Sequence, residues 1–393
     1  MSESRSDSCE IAVVGGGVIG AACALALHRA GFDVRLLERG SPPPAFDAST
    51  YDPRVYAISP ASARFLDSLG AWAGVRARRA CAYERMEVWN LAPRQALGFD
   101  AAQAGVPDLG WIVEQSVLLA ALWQALPQER VWAGSAVESL SLPAQGGAVL
   151  HLAEGGALRT HLVVSAEGRN ARLREQAGLG IAAWSYRQTA LVSHIETEVP
   201  HHMAALQRFL PGGPLAFLPL ADGRRSIVWS VPDARLDALL ELAPEAFCTL
   251  LEQTAQGRVG RVLGMTAIAR FPLRAMHAQR YVRPGFAVIG DSAHVVHPLA
   301  GQGANLGFGD AEELVATLVE ARARGADWGG ERALRHYERA RRSANLEMLA
   351  LTDALNRAFR TDSALINRLL SIGLSGVDHF TLAKRWLARR ALG

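Results

Sequence analysis

One short segment near the N-terminus constrains the fold more than any other part of the chain. The stretch IAVVGGGVIGAACALALHRAGFDVRLLE, which starts at Ile11, predicts an apolar strand, a glycine-rich turn, a helix and a second strand. Gly15, Gly17 and Gly20 give the turn the spacing G-x-G-x-x-G. Gly15 permits the tight turn, Gly17 lets a pyrophosphate approach the helix N-terminus, and Gly20 lets the helix and the strand pack closely.

An acidic residue completes this pattern. Glu38 lies at the end of the second strand, eighteen residues after Gly20, where a carboxylate accepts hydrogen bonds from the ribose of a bound adenosine. A glycine-rich turn without a ligand is the alternative, but the flanking strand, helix and acid favour dinucleotide binding in a Rossmann-like unit. The motif by itself does not distinguish FAD from NAD.

Composition limits the other classes of function. A chain of 393 residues with 50% hydrophobic residues is long enough for two or three domains with a packed core. The net charge is only +3, the basic residues are dispersed and Lys384 is the only lysine, so no nucleic-acid surface is indicated. The cysteines form no CxxC pair, which argues against zinc, iron-sulfur and disulfide frameworks and favours a reducing compartment; they are Cys9, Cys23, Cys81 and Cys248.

Polar residues in the middle of the chain are placed beside predicted helix starts. Ser59 and Pro60 form a cap and a first turn, and Arg54 lies in the loop before them, as a ligand contact or a solvated loop residue. A second helix covers residues 114 to 126. Gln115 in its first turn either reaches a ligand or caps the helix.

Two later strands also end at a glycine and an acid, in HLVVSAEGRNARLREQAGL (161 to 179) and GFAVIGD (285 to 291). Between them, alternating stretches from about 184 to 275 predict an antiparallel sheet, an inserted domain that shapes a substrate cavity. A helix is predicted from Asn305 to Ala323, and the chain after residue 330 is helical throughout.

The segment GDSAHVVHPLAGQGANLG, residues 290 to 307, contains two histidines with a metal-like spacing. His294 and His297 are three apart, which would align them on one helix face. Pro298 breaks such a helix, and no Cys, His or carboxylate cluster elsewhere completes a ligand set. We therefore expect no metal site, and a strand end, a turn and a helix start instead.

Taken in order, GGGVIG with Glu38, SAEGRNARLR and GDSAHVVHPLAGQGANLG resemble the group A flavoprotein aromatic monooxygenases of the para-hydroxybenzoate hydroxylase type. Within that group the chain is most similar to the ubiquinone-biosynthesis hydroxylases. DPRVYAISPASARFLDSLGAW resembles their D-x-R-x-x-A-L-S segment, and SIGLSGVDHFTLAKRWLARRALG is similar to their C-terminal helix. The resemblance covers nearly the whole chain.

The resemblance implies an α/β fold with a Rossmann-like FAD-binding domain, an inserted antiparallel-sheet substrate domain and a C-terminal helical segment. We expect the FAD-binding domain to be discontinuous, at 1–80, 105–183 and 276–330. The substrate domain would take 81–104 and 184–275, and the C-terminal helices 331–393.

The resemblance also assigns roles to residues. Gly15, Gly17, Gly20 and Glu38 would hold the adenosine and pyrophosphate of FAD, while Arg54 and Gln115 reach the cofactor. Asp291 would bind hydroxyls of the ribityl or ribose group. The remaining positions surround the isoalloxazine ring: Gly303, Ala304 and Asn305 at the helix start beneath it, and Pro298 and His297 along its reaction face.

One motif departs from the family pattern A-D-G-x-x-S-x-V-R. This chain has Glu167 in place of the aspartate and Ala171 in place of the serine, although Arg174 remains. Glutamate keeps the charge on a longer side chain, and alanine removes a hydroxyl. The nucleotide contacts of this turn are therefore open.

The implied reaction is a ring hydroxylation: reduced flavin and O2 give a C4a-hydroperoxide whose distal oxygen passes to a phenol. The electron donor is NAD(P)H or a reductase. The implied substrate is a phenol or methoxyphenol with a polyprenyl chain, so a ubiquinone-biosynthesis complex, a lipid-carrier protein or peripheral contact with the inner membrane would supply it to a cytoplasmic enzyme.

The last 34 residues hold six Lys/Arg against two Asp, which is typical of a surface-lying or partner-binding helix and equally of a solvated one. Alternatives on the same fold are a hydroxylase of a soluble phenol or benzoate and a flavin-dependent polyprenyl reductase.

Overall fold

The structure, a computed structural model, describes residues 8–90, 96–144, 146–298 and 301–360. Its helices in these ranges are α1 Val18–Arg29, α2 Pro60–Ser68, α3 Trp72–Arg78, α4 Ala101–Ala104, α5 Gln115–Ala125, α6 Arg172–Gln176, α7 Leu236–Leu240, α8 Pro244–Ala255, α9 Gln302–Ala323 and α10 Glu331–Arg360. The strands are β1 Ser8–Val14, β2 Val34–Glu38, β3 Val55–Ile58, β4 Cys81–Tyr83, β5 Arg85–Trp89, β6 Leu97–Asp100, β7 Gly110–Glu114, β8 Val131–Ala133, β9 Val137–Ser141, β10 Ala148–Leu152, β11 Ala157–Ser165, β12 Ile181–Thr197, β13 Ala204–Leu210, β14 Gly213–Pro219, β15 Arg225–Pro232, β16 Val262–Met265, β17 Ala269–Ala278, β18 Val282–Arg283, β19 Phe286–Val288 and β20 His294–Val295.

The first sheet contains the predicted β-α-β unit. Its strands follow the order β18-β19-β11-β1-β2-β8, and β19, β11, β1, β2 and β8 run parallel. The strands are apolar because helices α1, α5 and α9 pack around them in one continuous core. The carboxyl ends of β1, β11, β2 and β19 therefore lie along one edge, where ligands bind in sheets of this kind.

The second sheet is largely antiparallel and confirms the texture expected from about residue 184. Its strands follow the order β20-β17-β12-β15-β14-β13-β5-β6, with β16 paired to β12. One face packs on α7 and α8 through a second core that includes Trp229, Phe247 and Leu251. Period-two alternation turns the other side chains of the same strands toward the first sheet.

The other large elements of the described chain are a small three-stranded sheet, β3-β7-β4, and the two long helices α9 and α10. The side chain of Ser59 accepts a hydrogen bond from the backbone N–H of Ser62, so α2 begins at the predicted cap. Helix α9 begins at Gln302, three residues before the predicted start at Asn305. None of the described helices has the length and apolar character needed to span a membrane.

The α/β fold with its Rossmann-like unit, antiparallel sheet and C-terminal helix is confirmed, while the exact domain boundaries stay a prediction. Strand β4, placed at the edge of the expected substrate domain, pairs with β7, whereas β5 and β6 belong to the large sheet. The basic helix expected in the last 34 residues lies outside the described residues, apart from the backbone of Arg360 at the end of α10.

Candidate active site

A cavity of about 890 Å³ separates the two large sheets. Ligand cavities of this size commonly form where domains meet. Residues after the parallel strands and at the starts of α1 and α9 form one side, which we call the glycine wall: Gly15, Gly17, Glu38, Asp291 and Gly303. Side chains of the antiparallel strands form the opposite side, which we call the sheet wall: Ala190, Val192, Gln207, Ala216 and Val228.

The first turn of the glycine wall needs glycine for two separate reasons. Gly15 has φ of +108° while its N–H donates to the Leu37 carbonyl at 2.8 Å. A Cβ at Gly20 would lie 1.9 Å from the Gly15 carbonyl oxygen, so helix and turn touch through backbone alone. A Cβ at Gly17 would meet no atom within 4 Å. The start of α1 therefore faces open space at the position where a pyrophosphate is expected.

Glu38 fixes this turn as well as lining the cavity. Its carboxylate accepts hydrogen bonds from the N–H groups of Gly16 at 2.6 Å and Gly40 at 2.8 Å. On the far side of the turn, the Trp123 indole donates to the Gly16 carbonyl at 2.9 Å. Each carboxylate oxygen can accept a second hydrogen bond, so the role expected toward a ribose remains open to Glu38.

Arg54 and Gln115, separate in the sequence, lie together in the cavity. The Arg54 guanidinium donates to the Gln115 side-chain oxygen at 3.2 Å, and the Tyr56 hydroxyl donates to the same oxygen at 2.8 Å. The guanidinium also lies 4.9 Å from the centroid of the Phe271 ring, on the antiparallel sheet. Arg54 therefore connects the two sides of the cavity.

Asp291 follows β19 and faces the cavity beside Arg54 and Arg169. Burial raises the pKa of its carboxyl, and His294, Arg54 and Arg169 act in the opposite direction. Its turn is held from behind by Asp310 of α9, which is fully buried and accepts from the Gly290 N–H at 3.0 Å. This arrangement leaves the Asp291 carboxylate inside the cavity.

Asp310 is the centre of a buried polar network that the sequence reading missed. It accepts from His294 at 2.5 Å, from Arg341 at 2.8 Å and from Asn345 at 3.0 Å. Burial alone would raise the pKa of this carboxyl, but His294 and Arg341 bring it to about 2. The spacing of these residues carries no signal, because the network joins α9 and α10 to the turn after β19 only in three dimensions.

The start of α9 supplies backbone to the glycine wall. Gly301, at φ of +65°, precedes the helix, and Gly303 and Ala304 line the cavity. Asn305 has another position: its amide accepts from the Ser59 N–H at 3.0 Å and donates to the Ala57 carbonyl at 2.8 Å. Asn305 therefore fixes β3 and α2 against the helix start.

The two histidines are placed differently from the expectation. Pro298 lines the cavity, but His297 is fully buried with its ring 4.9 Å from that of Tyr186, and His294 points toward Asp310. Neither histidine is among the described residues that line the cavity. Each imidazole contacts a buried partner instead. The described residues also hold no group of three or more His, Cys, Asp or Glu placed to bind a metal ion.

The two departures in the SAEGRNARLR segment compensate for each other. Ala171 is the N-cap of α6 and has no hydroxyl to cap it. The Glu167 carboxylate accepts instead from the Leu173 N–H at 3.1 Å and from the Ser165 hydroxyl at 2.9 Å. Arg174, buried beneath the turn, donates to the carbonyls of Arg169 and Ser292. A longer acid thus replaces the missing serine cap.

The glycine wall fits FAD in its chemistry. Open backbone at the starts of α1 and α9 suits anionic groups, since helix N-termini present unpaired N–H donors and a positive dipole end. The carboxylates of Glu38 and Asp291 line the same cavity and can accept hydrogen bonds from sugar hydroxyls. Gly15 and Gly20 admit no side chain, so the turn and the start of α1 present bare backbone to a ligand.

Comparison with known proteins agrees with this fit. The FAD binding domain family matches residues 8–352. The 3-demethoxyubiquinol 3-hydroxylase of Escherichia coli K12 is 36% identical, over 98% of both chains. The human mitochondrial ubiquinone biosynthesis monooxygenase COQ6 is 34% identical, over 94% of this chain and 89% of the relative.

Solved structures show the same fold. Pseudomonas aeruginosa PqsL superposes with a TM-score of 0.78 at 21% identity, over 93% of this chain and 99% of PqsL. The p-nitrophenol 4-monooxygenase PnpA of Pseudomonas putida also gives 0.78, at 17% identity over 99% of both chains. Fold and site together define a FAD-dependent monooxygenase with the para-hydroxybenzoate hydroxylase fold. Within this class, the chain belongs to the family of FAD-dependent hydroxylases of ubiquinone biosynthesis.

Proposed function

We propose that this protein hydroxylates the aromatic ring of a polyprenylated phenol in ubiquinone biosynthesis. The observation that carries the proposal is the pairing of two unlike walls in one cavity. A polar, glycine-rich side suits the cofactor, and an apolar side of Ala190, Val192, Ala216 and Val228 suits a prenylated ring. The family relationship supports the same reaction class.

Residues of the glycine wall would hold the cofactor. Gly15, Gly17 and Gly20 receive the pyrophosphate at α1, Glu38 the adenosine ribose, and Asp291 a hydroxyl of the flavin half. Arg54 and Gln115 would contact the cofactor, and Gly303 and Ala304 would contact its flavin half at the start of α9, with Asn305 supporting them. The chemistry that bound FAD would supply is the activation of O2 with electrons from NAD(P)H, so that one oxygen atom of O2 goes to the substrate and the other leaves as water.

The protein itself would orient the ring and exclude water. Pro298 would border the reacting face, while His297 supports the loop through Tyr186 instead of touching the reactants. None of the five residues of the sheet wall carries a charge, so this wall offers no cation to a carboxylate and favours an apolar ring and chain over a carboxylated phenol. The electron donor is NAD(P)H in this proposal, with O2 as second substrate.

The substrate also determines where the enzyme works. A polyprenylphenol partitions into the bilayer, so we infer cytoplasmic placement with peripheral contact at the inner membrane, or delivery by a biosynthetic complex or a lipid carrier. Flotation of the protein with vesicles of inner-membrane lipids tests the membrane route. Transfer of a prenylphenol to the enzyme from loaded protein extracts tests delivery by a complex or a carrier.

Purified protein tests the reaction. We expect flavin absorbance, NADH oxidation that a 2-polyprenylphenol stimulates, and a product heavier by one oxygen in mass spectrometry. A parallel assay with 4-hydroxybenzoate separates a soluble-phenol hydroxylase, and an anaerobic assay separates a reductase, which would turn over without O2. Stimulation without any hydroxylated product, or by the benzoate alone, would overturn the proposal.

A further inference from the structure

The sheet wall carries one buried amide among apolar side chains. Gln207 lies in the middle of β13, paired with Ala216 of β14 and Val88 of β5. Its neighbours Leu206 and Arg208 contact the outer layer, Leu206 within the second core and Arg208 at the Thr254 carbonyl of α8. Alternation along the strand therefore directs Gln207 into the cavity, which it lines.

Gln207 is only 6% exposed as a residue, and within the described chain its side-chain amide makes no hydrogen bond. Its amide atoms are not among the fully buried polar atoms that lack a partner, so they reach the open space of the cavity. When a ligand displaces the water of the cavity, an amide left without a partner costs free energy, and an apolar residue of the same size would avoid that cost. Gln188, on β12 of the same sheet, shows the usual solution: it donates to the Gly212 carbonyl at 2.6 Å and accepts from Asn356 at 3.2 Å. The unused donor and acceptor of Gln207 instead face the space for a ligand.

We propose that Gln207 positions the substrate ring by hydrogen bonding to its phenolic oxygen. The amide NH2 donates to the ring oxygen, and the amide carbonyl accepts from a phenolic O–H, so one side chain suits either protonation state. Its place opposite Ala216 anchors the ring, while the apolar residues around it take the prenyl chain. This inference rests on the proposed function, because it assumes a prenylated phenol in this cavity.

The test compares two ligands that differ only in the hydroxyl, 2-geranylphenol and geranylbenzene, by equilibrium dialysis against the flavin-loaded protein. We expect the wild type to bind the phenol about tenfold more tightly, the effect of one well-placed hydrogen bond. In Gln207→Leu, and in Gln207→Met as a second variant, the ratio should fall to about one, with geranylbenzene binding unchanged. The same variants should raise KM for the phenol and increase the hydrogen peroxide released per NADH, because a ring that is not anchored is hydroxylated less often.

Gln188→Leu is the matched control. Because its amide is paired, this variant should lower the melting temperature but keep the wild-type ligand ratio. A Gln207 variant that still prefers the phenol tenfold, or one that weakens both ligands equally, overturns the inference while the proposed function stands. A wild type that binds neither ligand overturns the proposed function, and that result is visible before any variant is made.

Discussion

The glycine wall and the sheet wall face each other across one cavity, but they are built from different parts of the chain. On the glycine wall the ligand-facing groups are mostly backbone, fixed by Gly15, Gly20 and a buried charge network behind Asp291. On the sheet wall the backbone is used in strand pairing, so alternate side chains alone face the ligand. In the proposed function, fixed backbone would therefore recognise the cofactor, and side chains that many sequences could supply would recognise the substrate.

The largest effect is expected behind the glycine wall, at Asp310. The change Asp310→Ala leaves Arg341 and His294 without their buried carboxylate and removes the acceptor of the Gly290 N–H. Loss of one partner of a buried ion pair costs about 3 to 5 kcal/mol. Chemical denaturation should therefore show a much lower midpoint, together with weaker FAD retention.

An exposed ion pair serves as the control for Asp310. Glu331 pairs on the surface with Arg335 at 2.7 Å and with Arg280 at 3.2 Å, and 43% of its side chain is exposed. Such pairs contribute about 0 to 1 kcal/mol, so Glu331→Ala should hardly move the midpoint. Equal losses of stability in Asp310→Ala and Glu331→Ala would show that the buried network contributes no more than exposed ion pairs do.

The second effect separates two glycines of the same motif. In Gly20→Ala the new Cβ meets the Gly15 carbonyl at 1.9 Å, and the forced shift should cost about 3 kcal/mol of stability even without cofactor. Gly17→Ala meets no protein atom within 4 Å, so the apoprotein should melt normally. Its methyl group would occupy the space proposed for the pyrophosphate, so FAD should bind about tenfold more weakly. Melting curves with and without added FAD distinguish the two, and an identical pattern would contradict the separate roles.

The contrast between the walls also explains which parts of the fold and of the candidate site could be predicted from the sequence. The β-α-β unit, Gly15, Gly17, Glu38 and Asp291 were predictable because backbone recognition needs glycines and acids at fixed spacings. All of them lie at the cavity, although their contacts with FAD stay proposals. The antiparallel sheet was predictable from alternation, but which of its residues line the cavity was not.

One physical cause explains both the residue that the sequence placed wrongly and the residues that it did not reveal. His297 is adjacent to Pro298 in the sequence, but the loop turns the imidazole toward Tyr186 and away from the cavity. Asp310 and Gln207 lie inside ordinary helix and strand patterns, where nothing local separates them from solvent-facing polar residues. Their environments depend on contacts across more than thirty residues of chain, as between Asp310 and Arg341. Local spacing carries no information about such contacts.

The third effect is a dependence of stability on pH that originates at His277, which contacts the Tyr281 hydroxyl beside Asn345 of the buried network. Burial lowers the pKa of His277 to about 4, with His294 and Arg342 acting in the same direction and Asp310 opposing them. An unfolded histidine titrates near 6.5, so between about pH 6.5 and 4 the unfolded state binds the extra proton. Stability is therefore lost as the pH falls, by about 2 kcal/mol between pH 7 and pH 5.

The variant His277→Gln tests this assignment, because glutamine can still bond the Tyr281 hydroxyl, 3.0 Å from the imidazole, without titrating. Its denaturation midpoint should drop less between pH 7 and pH 5 than that of the wild type. His151→Gln, at an exposed position, should leave the slope as it is. An unchanged slope in His277→Gln would place the acid sensitivity elsewhere.

The smallest effect is expected on the sheet wall and should leave the glycine wall intact. Ala216 faces the cavity between Gln207 and Val228 on the neighbouring strands, so Ala216→Phe adds a ring to the space proposed for the substrate. FAD content should stay at the wild-type level, while KM for a long-chain 2-polyprenylphenol rises about tenfold, or about 1.4 kcal/mol. A phenol with a single isoprene unit should be affected as well, because Ala216 is paired with Gln207, where the ring is proposed to lie. Loss of FAD with unchanged KM would mean that the cofactor, and not the substrate, lies along these strands.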